Sequence, residues 1–371
     1  MSIRKNTWNL DGHYDLTKDE QNTYFNQPEL YSWGQASSGR SALNDTVERS
    51  SPTQIPGAGW DKIFRSGNSN NSNAGLKTDG TLWVWGHNGQ GQLGTNDIIP
   101  RSSPVQIPGT QWKDYTSQDD RSIATKTDGT LWVWGNDFEG SLGLGSNTGP
   151  DRSSPTQIPG TSWNTVGFAI YGAFVTKTNG ELWAWGRNGS GQLGINSASY
   201  RSSPVKLPGT EWVHAESNNV SFGIKSDGTL WGWGQSNNGQ LGQNSTVRYS
   251  SPRQVPGTWS DFKVGGYSTL GIKTDGTLWM WGYNSGGRLG QNGGAPNYSS
   301  PRQIPGTQWS TAEYGDAHVL ATKTDGTTWV WGHNGYGNFG LNDQVQRSSP
   351  IQLPGTWTKL EANNYTSFGF K

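Results

Sequence analysis

The sequence predicts an all-β protein, a seven-bladed β-propeller closed by N- and C-terminal strands that share one blade. Three observations predict it. The stretch Trp83-Val84-Trp85-Gly86 returns in near copies ending at Gly135, Gly186, Gly234, Gly282 and Gly332, with a degenerate copy at Tyr31-Ser32-Trp33-Gly34. Successive glycines lie 48 to 52 residues apart, so one supersecondary unit is built seven times. The last unit stops at Phe368-Gly369-Phe370-Lys371, where a hairpin turn is due, and its missing strand stands at the other end of the chain as residues 29–34. A blade assembled from both termini closes the circle and removes exposed edges.

Each unit reads as β in the same order. Trp60 to Phe64 is a candidate first strand, and Ala74-Gly75-Leu76 is the second. Lys77-Thr78-Asp79-Gly80-Thr81 follows with Asp-Gly, a dipeptide that tolerates the positive φ of a tight hairpin. Leu82-Trp83-Val84-Trp85 is short, aromatic and bounded by glycine, as a half-buried strand should be. Pro104-Val105-Gln106-Ile107 is a further short strand after Ser-Ser-Pro, a triplet that occurs seven times. Pro-Gly follows seven times, and soon after it comes a lone tryptophan: Trp60, Trp112, Trp163, Trp212, Trp259, Trp309 and Trp357. These seven, the thirteen of the Trp-x-Trp-Gly copies and Trp8 account for all 21 tryptophans. Nearly every tryptophan therefore belongs to the framework. Three or four strands in about 50 residues is the size of a propeller blade.

The repeated pattern Asp-Gly-x-Leu-Trp-x-Trp-Gly, followed in several copies by Gly-Gln-Leu-Gly, resembles the regulator of chromosome condensation repeat family, of the highly regular kind found in bacterial and phage genomes. The resemblance covers residues 29–371 and leaves residues 1–28 as an N-terminal arm. It implies a seven-bladed propeller closed by strands from both termini, with protein partners held on the loops of one face. Kelch repeats have a similar period, but their diglycine signature is not what recurs here. The family's best-known activity is nucleotide exchange on a small nuclear GTPase, with chromatin binding. The near-constant repeat length leaves little room for an inserted wedge, so no catalytic residue carries over.

Composition narrows the function. Leu, Ile and Val are sparse and glycine numbers 54, so tryptophan supplies the burial. Each buried indole removes about 150–250 Å² from water, on the order of 4–6 kcal/mol at ~25 cal/mol/Å². There are no cysteines, hence no disulfide or thiolate chemistry. Formal net charge is zero, with 28 basic and 28 acidic side chains and no basic run, which argues against nucleic acid as a partner. No apolar signal region or membrane-length segment is present, so the expectation is a chain that does not insert into a membrane.

Several motifs look chemical and read better as structure. Gly89 to Gly94, Gly189 to Gly194 and Gly335 to Gly340 fit G-x-G-x-x-G, but a dinucleotide fold needs one such turn opening a helix. Asp79, Asp128, Asp227, Asp275 and Asp325 share one turn position a blade apart and cannot pair as acid and base. The histidines have no metal-ligand spacing: His87 and His333 share a column that elsewhere holds Asn136, Arg187, Gln235 and Tyr283. The expectation is no enzyme, no metal and no cofactor.

The blades disagree in one gap-free window, the residues ahead of Lys77, Lys126, Lys177, Lys225, Lys273, Lys323 and Lys371. Falling in a loop of each blade, these residues are expected to emerge together on one face. The candidate ring is Asn70, Asn71, Asp119, Asp120, Arg121, Tyr171, Asn218, Asn219, Tyr267, Asp316, His318, Asn364 and Tyr365. Tyrosine among adaptable polar residues suits recognition of a protein or a surface glycan; the alternative is a ring of solvated turns. In the arm, Trp8, Tyr14, Tyr24 and Phe25 either pack under the propeller or dock onto a neighbouring subunit as an assembly tether, which would give a homo-oligomer or attachment to a particle. Two functions follow. One is a virion structural or host-recognition protein, displayed on a phage particle. The other is a cellular, cytoplasmic module that binds or blocks one protein.

Overall fold

A computed structural model describes residues 28–371 except 65, 67–71, 119, 170, 219 and 294–295. The arm residues Trp8, Tyr14, Tyr24 and Phe25, and the ring residues Asn70, Asn71, Asp119 and Asn219, lie outside the described residues. The chain begins with β1 (Leu30–Gly34) and β2 (Arg49–Gln54). Blade 1 follows as β3 (Trp60–Phe64), β4 (Ser72–Lys77), β5 (Leu82–Gly86) and β6 (Arg101–Gln106). Blades 2 to 6 run from β7 (Trp112–Gln118) to β10 (Arg152–Ile158), β11 (Trp163–Ala169) to β14 (Arg201–Lys206), β15 (Trp212–Asn218) to β18 (Tyr249–Val255), β19 (Trp259–Val264) to β22 (Tyr298–Gln303), and β23 (Trp309–Tyr314) to β26 (Arg347–Leu353). β27 (Lys359–Asn363) and β28 (Thr366–Phe370) complete blade 7 with β1 and β2, in the order β2-β1-β28-β27. Every blade is a four-stranded antiparallel sheet. The expected closure is present: β1 pairs with β28 from Leu30 opposite Phe370 to Gly34 opposite Thr366.

The first strands of the seven blades surround the axis, and all seven line one cavity of about 430 Å³. Its wall includes Lys62, Asp114, Glu216, Lys263 and Glu313, with the Lys263 ammonium 3.3 Å from Asp261 and 3.5 Å from Glu313. The Ser-Ser-Pro strand lies outermost, where the missing N–H of proline leaves no ladder bond unmade.

The repeated residues bind each blade to the next. The second tryptophan of every Trp-x-Trp-Gly copy is buried, and its Nε1–H donates to a carbonyl of the preceding blade: Trp85 to Arg40 at 2.9 Å, Trp134 to Gln92 at 2.9 Å, and Trp33 to Asn338 at 2.8 Å across the closure. At the rim, the backbone N–H of Asn44, Asn96, Gly145, Asn196, Asn244, Asn292 and Asn342 donates to a serine carbonyl of the next blade at 2.7–2.9 Å. These residues have positive φ, which asparagine and glycine tolerate. In five of the seams the asparagine Oδ1 also accepts a hydroxyl of the Ser-Ser pair. The lysine column is structural too: the Lys77 ammonium sits 5.0 Å from the Trp60 ring and 4.3 Å from Trp83, and the arrangement recurs through Lys371 over Trp357 and Tyr31. Each such contact is worth about 0.5–2 kcal/mol.

The Asp-Gly hairpin differs from a turn in which both residues take positive φ. Gly80 alone does so, at +75°, and its N–H donates to the Lys77 carbonyl at 2.9 Å. Asp79 instead accepts from the Thr81 N–H at 2.9 Å and hydroxyl at 2.6 Å, and that hydroxyl accepts Trp83 Nε1–H. Thr81 and its neighbours lower the Asp79 pKa by hydrogen bonding. Turn chemistry thus accounts for the repeated aspartates.

Candidate functional site

Two sets of loops leave the blades on one face: the turn joining the first and second strands, and the long loop joining the third and outer strands. The Asp-Gly turns and the Pro-Gly connections share the opposite face, where Thr78 N–H donates to Gly59 O and Trp112 N–H to Gly80 O. The variable window lies in the first set and faces the long loops.

The two sets interlock. In blades 5 to 7, Tyr267 is 47% exposed and packs edge-on against Tyr283, centroids 6.0 Å apart. The Arg288 guanidinium lies 5.2 Å from the Tyr283 ring and donates to the Asp316 carbonyl at 3.4 Å. The Tyr365 hydroxyl donates to Asp316 Oδ2 at 2.5 Å, and its ring stands 5.4 Å from His333 and 5.2 Å from Tyr336. Burial, then the bond to Asp316, push the Tyr365 phenol well above its ordinary value. Burial, helped by Arg288, holds His333 below its ordinary value, which favours the neutral ring.

A second cluster joins blades 2 and 3. The guanidinium groups of Arg121 and Arg187 stand 4.8 and 5.4 Å from the Tyr171 ring, with the exposed Phe138 6.1 Å away on a T-shaped edge. Asp120, half exposed, accepts from Gln92 Nε2 at 2.8 Å and lies 3.7 Å from His87.

Four ring residues are not surface groups. Arg121 and Asn218 are 3% exposed, Asn364 is 8% and His318 is fully buried. In each blade the variable triplet, from residues 70–72 in blade 1 to 364–366 in blade 7, ends on a buried residue of the second strand, as Arg121 opens β8 (Arg121–Lys126) and His318 opens β24 (His318–Lys323), and both of these side chains turn inward. Asn218 ends the first strand of blade 4, on the side of His214 and Glu216, which line the axial cavity. Asn364 is a positive-φ turn residue whose carbonyl accepts the Asp316 N–H. Of the described ring residues, Asp120, Tyr171, Tyr267, Asp316 and Tyr365 reach the face.

Their partners on the long loops, Phe138, Arg187, Tyr283, Arg288, His333 and Tyr336, were not candidates from sequence. The column after Trp-x-Trp-Gly varies from blade to blade as the triplets do, and that variation was the signal. Among the described residues no group of three or more His, Cys, Asp or Glu could hold a metal ion. None of their helices is long and apolar enough to cross a membrane.

Residues 79–115, 179–217, 227–272 and 275–322 match the family model of the regulator of chromosome condensation (RCC1) repeat. Each match begins at an Asp-Gly or Asn-Gly turn and runs into the next blade, so the matched unit spans a seam. Among solved structures, human WBSCR16 is similar at 20% identity with a TM-score of 0.81, over 92% of this chain and 98% of that one. Yeast RCC1 (Prp20), solved with Kap60 bound to it, is similar at 18% identity and a TM-score of 0.80, over 93% of this chain and 88% of that one. Prp20p from Saccharomyces cerevisiae, described with its binding properties to Gsp1p and histones, gives 18% and 0.81, over 93% and 91%. At these identities the likeness shows the fold alone. Comparison with curated protein sequences gives no match.

Proposed function

The chain is a propeller of regulator of chromosome condensation (RCC1) repeats, and on that premise we propose that it is a non-catalytic module that holds a protein partner against its loop face. One observation carries the reading: the side chains that differ between blades are gathered into seam-spanning clusters of Tyr, Arg, His and Asp on that face. Tyr and Arg with satisfied polar neighbours are the residues that dominate protein interfaces. The yeast relative, described with Kap60, Gsp1p and histones, supports protein binding as a use of this fold. Nucleotide exchange on a GTPase is not carried over, because a likeness at 18% identity reaches no residue role.

Nothing in the blades favours a virion component over a cellular module, and the arm on which the virion reading rests lies outside the described residues. Affinity capture separates the two. Immobilised wild type, a variant with Tyr171, Tyr267 and Tyr365 changed to Ala, and a chain lacking residues 1–27 are compared on lysate and particles of the source. The tyrosine variant loses the partner while still unfolding in a single cooperative transition above the temperature of the assay, and the shortened chain keeps it. Retention by the tyrosine variant overturns the proposed face, and loss of particle proteins by the shortened chain alone marks an assembled component.

A further inference from the structure

The second residue after each Trp-x-Trp-Gly glycine is asparagine in four blades (Asn88, Asn188, Asn284 and Asn334), Ser236 and Ala36 in two more, and Asp137 in blade 2. The amide ties the long loop at two points. Its oxygen accepts the backbone N–H five residues on: Asn88 from Leu93 at 2.9 Å, Asn188 from Leu193 at 2.9 Å and Asn334 from Phe339 at 2.8 Å. Its Nδ2 donates to the carbonyls nine and eleven residues on: Asn88 to Asp97 and Ile99 at 3.0 and 3.2 Å, Asn188 to Ser197 and Ser199 at 2.8 and 3.1 Å. Ser236 keeps the second tie, because its hydroxyl donates to the Ser245 carbonyl at 3.2 Å. An ionised carboxylate cannot make it, since it only accepts.

Asp137 keeps the first tie alone. It is 2% exposed and its Oδ1 accepts the Leu142 N–H at 3.0 Å, but among the described residues no donor reaches Oδ2. The loop nevertheless lies against that oxygen, because a Cβ on Gly149 would collide with it. Gly145 N–H bonds the next blade as Asn96 N–H does, and Thr148 N–H donates to Ser146 Oγ as Ile99 N–H donates to Asp97 Oδ1. By that register the carbonyls of Ser146 and Thr148 are the counterparts of those that take the amide protons in blade 1. A second clamp is missing too. Asp45 pairs with Arg49, Asp97 with Arg101 and Asp343 with Arg347 at 2.6–2.9 Å, but blade 2 has Ser146 in the place of the acid. Burial raises the pKa of Asp137; the Leu142 N–H and the fields of Arg152 and Arg121 oppose the rise, and Asp151, whose Oδ1 accepts the Asp137 N–H at 3.1 Å, adds to it.

We propose that Asp137 is a proton-operated latch on the long loop of blade 2. Protonated, its Oδ2–H takes the part of the amide and donates to the Ser146 or Thr148 carbonyl, which closes the loop. Ionised, Oδ2 faces those carbonyls with no proton between them, and the loop is released. An antiparallel bridge joins Thr148 to Phe138, so the latch sets how firmly the exposed Phe138 is held against Tyr171. For that consequence alone the inference rests on the proposed loop-face function. The folded chain holds this proton to a higher pH than the unfolded chain does, so the latch contributes stability at low pH and loses it as the pH rises.

The test uses the purified chain and Asp137→Asn, which places here the residue that four other blades use. Hydrogen exchange across residues 144–149, corrected for the intrinsic effect of pH, is followed at pH 4.5 and 7.5, with and without EDTA, alongside Tm. The wild-type loop is protected at pH 4.5 and loses protection at pH 7.5, while the variant is protected at both. The variant has the higher Tm at pH 7.5, and the gap narrows at pH 4.5. Equal protection of the wild type at both pH values, the same pH dependence in the variant, or no gain in Tm from the substitution at pH 7.5 overturns the latch. Wild-type protection that EDTA removes overturns it as well, and gives the place to a cation instead of a proton. Failure here leaves the capture experiment on Tyr171, Tyr267 and Tyr365 intact, so the two readings fail separately.

Discussion

His318 is fully buried, and its hydrogen bonds determine its tautomer. The Ser367 hydroxyl gives its proton to the Asn338 carbonyl at 2.8 Å, so its oxygen accepts from His318 Nε2 at 3.0 Å. Nδ1 is then bare and has no partner. Burial, then the field of His333, hold the ring down to about 3. The unfolded chain takes up this proton near pH 6.5 and the folded one only near pH 3, so between those values the unfolded state holds more protons. Stability is therefore complete above pH 6.5 and is lost as the pH falls. At pH 5 the loss from this group is about 2 kcal/mol. Urea unfolding of wild type and His318→Asn at pH 7.5 and 5.0 checks it: the wild type loses about 2 kcal/mol more than the variant, and equal losses contradict the assignment. The sequence offered His318 as a surface residue because a gap-free window carries no strand phase. Whether its third position is still turn or already strand depends on where pairing resumes.

The seams extend that lesson to the elements. The glycines of the long loops were legible as turn residues, but their second role was not, since the atoms they avoid belong to another blade. A Cβ on Gly337 would come within 2.5 Å of Ser50 Cα, and φ there is +74°. Gly326, in the Asp-Gly turn of blade 6, has φ +80° and nothing within 4 Å of a Cβ. Gly326→Ala should cost about 1–2 kcal/mol for the left-handed backbone alone. Gly337→Ala should cost about 1–3 kcal/mol more, because the backbone it meets cannot move aside cheaply. Denaturant midpoints of the two variants measure the difference, and equal values would remove the seam from the account. The Ser-Ser-Pro and long-loop asparagine motifs were visible as punctuation. Their pairing became visible only when the blades were placed side by side. On the loop face, Tyr171, Tyr267 and Tyr365 could be read from the triplets. Arg187, Tyr283 and His333 stand in a column that varies just as much, but its mixture of residue types has no metal or catalytic spacing to single it out.

At the scale of the molecule, the ring depends on both ends of the chain. β1 and β2 come from the N-terminal side and β27 and β28 from the C-terminal side, and Glu29 and Lys371 exchange two backbone hydrogen bonds at 3.1 Å. Deleting residues 29–54 removes β1 and β2, exposes the edge of β28 and takes Trp33 from the seam with blade 6. That variant should lose the single cooperative transition and self-associate through the open edge; sedimentation showing a monomer with wild-type cooperativity would contradict closure as the source of stability. The repeat made this architecture legible because seven copies of one framework leave little doubt about which residues are common. The same regularity leaves the opposite face nearly uniform and concentrates difference on the loops. The central claim is that a partner is held by those loops, and the most direct test is its affinity for two triple alanine variants, one on each face. Tyr171, Tyr267 and Tyr365 are changed to Ala on the loop face; Thr110, Thr161 and Thr307, exposed after the Pro-Gly connections, are changed to Ala on the opposite face. The loop-face variant should bind at least about tenfold more weakly, roughly 1.4 kcal/mol or more, while the threonine variant binds as wild type does. Unchanged affinity in the tyrosine variant with loss in the threonine variant would place recognition on the other face and contradict the account.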